Sequence, residues 1–168
     1  MDHRNRLLRL ASRSLLLAAA LLLAAQSPAL ARPVRTAERA RMTRDAGASD
    51  AVRAECRLQT SLPEYVRDAS HDVDIVHGKR PRRGTVLELR ITDVRAPGGG
   101  PFSGPRAISV EAELWEHGRL VASAKARRRT SARPFGGNCA QLNRIAHAIG
   151  RDIALWLEDP RRDAYFGD

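Results

Sequence analysis

Apolar and polar positions alternate most regularly in the second half of the chain. In residues 85–95, Leu87, Leu89 and Ile91 fall on one side while Glu88, Arg90 and Thr92 fall on the other, which predicts a half-buried strand. Residues 96–105 hold four Gly and three Pro and predict a loop. Ile108, Val110, Ala112 and Leu114 then alternate with Ser109, Glu111 and Glu113. After Glu116-His117-Gly118-Arg119, a turn signal, Leu120, Ala122, Ala124 and Ala126 resume against Ser123 and Lys125. The two runs predict an antiparallel hairpin. From Cys139 the period changes. Leu142, Ile145, Ala146, Ile149, Ile153, Trp156 and Leu157 recur every three or four residues, a single apolar stripe on a long helix. Asn138 is placed to cap that helix and Pro160 to end it. Gly150, costly within a helix, predicts a close approach to the sheet.

Upstream the pattern is weaker. Residues 32–51 are polar and charged and predict a flexible N-terminal arm. Residues 54–59 read as a first strand, and residues 62–66 as a short helix with Ser61 as its cap and Pro63 in its first turn. Val73 and Ile75 alternate with charges and predict a short strand, followed by a basic turn at residues 78–84. Residues 52–168 thus read as a single α+β domain. Its sheet is largely antiparallel, with the long C-terminal helix and the short N-terminal helix on one face. The other face is polar, lined by Glu88, Arg90, Glu111, Glu113 and Lys125.

The first thirty-one residues change the setting. Arg4, Arg6, Arg9 and Arg13 precede an unbroken run of Leu and Ala at residues 15–25, then Pro28 and the small-residue exit Ala29-Leu30-Ala31. That order is a secretory signal peptide, cut after Ala31. A spanning helix needs about 20 apolar residues, more than this run supplies. The protein is therefore expected in the periplasm or secreted, without a transmembrane segment after cleavage.

In an oxidising compartment the chain's two cysteines, Cys56 and Cys139, predict one structural disulfide. The helical stripe puts Cys139 on the buried face, where its sulfur would meet Cys56 on the first strand. Neither cysteine belongs to a CxxC or has His at zinc-finger spacing, so no metal is assigned to them.

No catalytic constellation stands out. The segment His71-Asp72-Val73-Asp74-Ile75-Val76-His77 is the densest group of metal-ligand types. On a strand its histidines and aspartates point to opposite faces, so no metal site is assigned. Ser103, Ser131, His117 and His147 are not joined by a nucleophile motif such as GxSxG. The glycine-rich loop lacks the Lys-Ser/Thr of a phosphate-binding loop, and no cofactor is implied.

The chain carries net charge +10, and residues 32–168 retain 25 basic against 18 acidic side chains. All but Lys79 and Lys125 of the Lys and Arg residues are arginines, a skew that a GC-rich genome also produces. Two basic runs, Lys79, Arg80, Arg82 and Arg83, and Arg127, Arg128 and Arg129, would form an anion-binding patch if they adjoin. The polyanions met outside the cytoplasm are lipid phosphates, lipopolysaccharide and acidic glycans rather than nucleic acid.

Residues 86–168 resemble a family of small exported bacterial envelope proteins and lipoproteins, a domain of unknown function. The resemblance rests on Leu87-Glu88-Leu89-Arg90-Ile91-Thr92-Asp93-Val94, on Gly98-Gly99-Gly100 with Ser103-Gly104-Pro105, and on a strand pair ending at Arg128–Thr130. Gly136-Gly137-Asn138-Cys139 and the tail from Gly150 to Pro160 complete it. It implies a secreted envelope domain and supplies no catalytic residue; the lipidation cysteine of some such proteins is missing. The topology is also similar to small α+β domains of periplasmic envelope complexes. Three functions remain open: a non-enzymatic binding or envelope-accessory protein acting on an envelope protein or anionic component, a small periplasmic hydrolase whose site forms only in three dimensions, and an anionic glycan- or lipid-binding or inhibitor module.

Overall fold

The computed structural model describes residues 33–98, 104–130 and 137–167, which lie in one compact unit. Its elements run β1 (Val34–Ala37), β2 (Arg41–Met42), α1 (Asp50–Glu55), α2 (Leu58–Ala69), β3 (Val73–Val76), β4 (Thr85–Arg95), β5 (Arg106–Glu116), β6 (Arg119–Thr130), α3 (Asn138–Glu158) and β7 (Ala164–Gly167). The class is α+β, as the alternation predicts. The seven-stranded sheet has the order β3-β1-β4-β5-β6-β7, with β2 also paired to β4.

The sheet is largely antiparallel in its long strands and mixed through its short ones. β4, β5 and β6 form the predicted antiparallel meander, turning from β5 to β6 at His117 and Gly118, both in the left-handed region. The shorter strands β1, β2, β3 and β7 all add in parallel. Leu87, Leu89 and Ile91 of β4 are buried with Val110, Ala112 and Leu114 of β5 and Ala122, Ala124 and Ala126 of β6. A bulge between Ile91 and Asp93 resets the alternation, so Val94 rather than Asp93 is buried.

α3 lies across β5 and β6 and packs beside α2. Leu142, Ile149 and Ile153 lose all exposure to solvent, and Ile145, Ala146 and Trp156 nearly all. The alanines of β6 leave room for these larger side chains. Two details of the helix differ from expectation. The cap is Gly137, one residue before Asn138, whose Oδ1 instead accepts from Nε and Nη2 of Arg106 at 3.0 and 2.9 Å. Gly150 approaches Tyr65 of α2, not the sheet.

The larger corrections lie at the N-terminal side. The segment expected as an arm supplies β1, which sits between β3 and β4 with Thr36 buried at 1% exposure. Residues 54–59 form the corner between α1 and α2 rather than a strand. Cys56 and Leu58 mimic strand alternation there only because Arg57 between them takes a left-handed conformation (φ 53°). Leu58, Leu62 and Val66 then follow helical spacing and are buried.

α2 begins at Leu58, so Ser61 is not its cap and Pro63 lies inside it. Proline has no N–H to offer the Gln59 carbonyl one turn back. That carbonyl instead accepts from the Ala40 N–H at 2.7 Å, while Gln59 Nε2 donates to the Ala40 carbonyl at 3.3 Å. This clamp draws the chain off β4 between β1 and β2. β7 was not anticipated: residues after Pro160 return along β6, the Ser123 N–H and Trp156 Nε1 both donating to the Arg161 carbonyl at 3.3 and 3.1 Å.

Cys56 and Cys139 form the predicted disulfide, with Cα atoms 4.7 Å apart. It joins the α1–α2 corner to the first turn of α3, helix to helix, because Cys56 is not on a strand.

A candidate anion-binding concavity

Paired residues of neighbouring strands share a face. The face of β4 opposite the helices carries Val86, Glu88 and Arg90, so their partners point the same way. Arg35 pairs with Val86, and Arg41 pairs with Arg90. β1 and β2 thus project arginines from the outer face, beside the loop of residues 78–84. Gly84 closes that loop with φ +78°, a conformation glycine adopts without strain. A Cβ there would stand 3.2 Å from Arg35 Nη2, which donates to the Arg83 carbonyl. The guanidinium of Arg35 therefore underpins the loop.

Arg35, Lys79, Arg80, Arg82 and Arg83 together line one concavity of about 740 Å³. Among the described residues no acidic side chain lines it. Lys79, Arg80, Arg82 and Arg83 are exposed, and Arg35 is half-buried. Among the described residues no carboxylate lies within 4.0 Å of these five cations. Asp74 is the register partner of Arg35 on β3 and does not close to an ion pair. Of the sequence-predicted basic residues, then, the structure brings Lys79, Arg80, Arg82 and Arg83 together and adds Arg35.

It does not bring Arg127, Arg128 and Arg129 to them. The loop leads into β4 at Thr85, whereas Arg127 and Arg129 pair with Ser109 and Ala107, which pair with Asp93 and Arg95. Eight to ten residues along β4 separate the levels, about 30 Å at strand rise. The pleat also divides that second run. Arg128 turns toward α3, where its Nε and Nη2 donate to the Asp152 carboxylate at 2.8 and 2.9 Å. One patch built from both runs is excluded by this register.

The remaining candidates resolve into local structure. On the outer face Arg90 reaches Glu111 at 3.3 Å and Glu113 at 3.9 Å, and Lys125 reaches Glu111 at 3.5 Å. This network offsets the repulsion of Glu88 and Glu113, which stand directly opposite. His147 packs edge-on to Tyr65, with centroids 5.2 Å apart. Among the described residues no carboxylate lines the shallow concavity they share with Ala140, Asn143 and Arg144. His117 sits in the β5–β6 turn, and Ser103 and Ser131 lie outside the described residues. Among the described residues no group of three or more His, Cys, Asp or Glu could hold a metal ion.

His77, at the start of the basic loop, has a different role: its Nδ1 hydrogen-bonds Glu38 Oε2 at 2.9 Å. This contact ties the β1–β2 connection to the loop. The His77 hydrogen bond, opposed by slight desolvation, holds the Glu38 carboxyl below its ordinary value. A depressed carboxyl pKa favours the folded state above the unfolded-state value, and the gain disappears as pH falls through the folded-state value. Both side chains are exposed, so the effect belongs to the titration more than to global stability. His77→Ala should return Glu38 toward its ordinary value, an upward shift read by NMR titration of the carboxyl. An unmoved midpoint would refute the contact.

No protein-family model matches the chain, and no curated protein matches it. Solved structures do. An uncharacterized protein superposes with a TM-score of 0.57 at 13% identity, covering 75% of this chain and 92% of the other. A DUF330 protein from Xanthomonas campestris superposes with a TM-score of 0.51 at 14% identity, covering 78% and 87%. A hypothetical protein from Chlamydia trachomatis gives 0.51 at 8% identity, covering 76% and 96%. These likenesses establish a shared fold.

Proposed function

We propose that this chain is an exported, non-enzymatic binding protein of the bacterial envelope, acting in the periplasm or after secretion, that holds an anionic envelope component at its β3–β4 loop. The observation that carries this reading is the concavity lined by Arg35, Lys79, Arg80, Arg82 and Arg83 with no acidic residue among the described ones. Five cations held together without counter-charges repel one another, and an anion in their midst relieves that repulsion. Arginine adds paired N–H donors matched to phosphate and carboxylate oxygens. The disulfide fits a protein that matures in an oxidising compartment. Among the described residues no helix is long and apolar enough to cross a membrane.

Cosedimentation with phosphatidylglycerol vesicles, phosphatidylcholine vesicles and lipopolysaccharide tests the proposal. Binding should favour the two anionic preparations and weaken as ionic strength rises from 0.01 to 0.15 M, where the screening length shrinks from about 30 to about 8 Å. Arg80→Glu with Arg82→Glu should weaken it at least tenfold, whereas Arg127→Glu with Arg129→Glu should leave it within about twofold. Equal binding by all three proteins, or none by the wild type, would refute the assignment.

A further inference from the structure

A second concavity, of about 590 Å³, lies beside the first and is lined by Arg39, Arg41, Arg80 and Arg90 together with Glu38 and uncharged groups. Arg80 lines both. Glu38 is engaged by His77 and Arg90 by Glu111, which leaves Arg39 and Arg41 exposed and without a carboxylate within 4.0 Å among the described residues. The strand register sets the spacing. Arg35 stands level with Val86 and Arg41 with Arg90, four residues apart along β4, or about 13 Å at strand rise.

Resting on the anion-binding reading above, we infer that the ligand is an extended chain of phosphate or similar anionic groups, which threads past Arg80 from one concavity into the other. A single phosphate can engage one cluster and leaves the exposed Arg39 and Arg41, or the loop cations, without a bound anion. A flat anionic bilayer meets the exposed loop but does not follow the recesses on both sides of it. A flexible chain longer than about 13 Å can reach both, and once one end is held the second contact forms at high effective concentration. The number of charges neutralised, and with it the salt dependence of binding, rises accordingly.

Isothermal titration with tripolyphosphate and with long-chain inorganic polyphosphate, at two ionic strengths, separates the alternatives. Tripolyphosphate has three phosphates for the seven cations Arg35, Arg39, Arg41, Lys79, Arg80, Arg82 and Arg83 of the two concavities, and cannot engage them all. The long chain should bind about 100-fold more tightly per chain and lose more affinity as salt is raised. Arg39→Ala with Arg41→Ala should weaken the long chain at least tenfold and leave tripolyphosphate unchanged, while Arg82→Ala with Arg83→Ala should weaken both. Circular dichroism confirms that each variant is folded. If Arg82→Ala with Arg83→Ala weakens both probes but Arg39→Ala with Arg41→Ala weakens neither, the bridging inference falls and a single anion site stands. If neither polyphosphate binds while phosphatidylglycerol vesicles do, the ligand is a surface and the inference falls. If nothing binds, both readings fall.

Discussion

Cys139→Ser should lower the stability of the oxidised protein by about 4 kcal/mol. The disulfide connects residues separated by 83 positions, and in the chain-entropy model a closed loop of that length restricts the unfolded chain by about that amount. The loop encloses α2 and the strands β3 to β6 and closes at the first turn of α3. Native contacts at the bridge do not depend on it alone. Asn143 Nδ2 donates to the carbonyls of both Cys56 and Cys139, at 3.2 and 3.0 Å. The helix ends therefore meet even without the covalent bond, and the variant should fold to the same structure at reduced stability. Urea unfolding followed by circular dichroism should show a lower midpoint for Cys139→Ser, and the wild type in reductant should fall to a similar value. Coincident curves for oxidised and reduced wild type would refute the prediction.

The contrast between what the sequence made legible and what it concealed follows from length and locality. β4, β5 and β6 are 11 or 12 residues long, enough periods for alternation to outweigh chance. The stripe on α3, a helix of 21 residues, is longer still and equally clear. β1 has four residues, and only Val34 and Thr36 are available to mark its inner side. Its strand conformation comes from partners on both edges, β3 and β4, which no local window contains. Residues 54–59 failed for another reason: one left-handed residue between two helices gave two buried side chains the spacing of a strand.

The candidate site divides along the same line. Lys79, Arg80, Arg82 and Arg83 are neighbours in sequence, so their cluster is visible there. Arg35, Arg39 and Arg41 look like part of a polar arm until β1 and β2 are placed beside β4. Once the strand register is known, Val34-Arg35-Thr36 reads as alternation, with the arginine turned outward. Whether Arg127, Arg128 and Arg129 adjoin the first cluster is likewise left open by the sequence and decided by register. Both runs lie at strand ends, but at opposite ends of the meander, and which end is a matter of register rather than composition.

Gly150→Ala provides the sharpest test of how α2 and α3 meet, because two physical effects predict opposite signs. Helix propensity alone favours alanine by about 1 kcal/mol. A Cβ at position 150, however, would stand 2.7 Å from Tyr65 Cβ and 2.9 Å from the Tyr65 carbonyl carbon. These are the root of a side chain and the backbone of a helix, so a rotamer change cannot relieve the overlap; α2 must move. Its position is fixed by the buried Leu58, Leu62 and Val66, by the Gln59–Ala40 clamp, and by Tyr65 Oη, which donates to Asn143 Oδ1 at 3.3 Å. Overpacking at such a site costs up to about 3 kcal/mol, and the difference leaves Gly150→Ala less stable by about 2 kcal/mol. At this chain length that is a fall of roughly 4–8 °C in Tm, measurable by thermal unfolding. A second substitution locates the cause. Tyr65→Gly removes the Cβ that meets the new methyl group, so the double variant should lose less stability than the two single losses combined. A rise in Tm for Gly150→Ala would mean that the helices do not approach at this point, and that propensity alone governs the position.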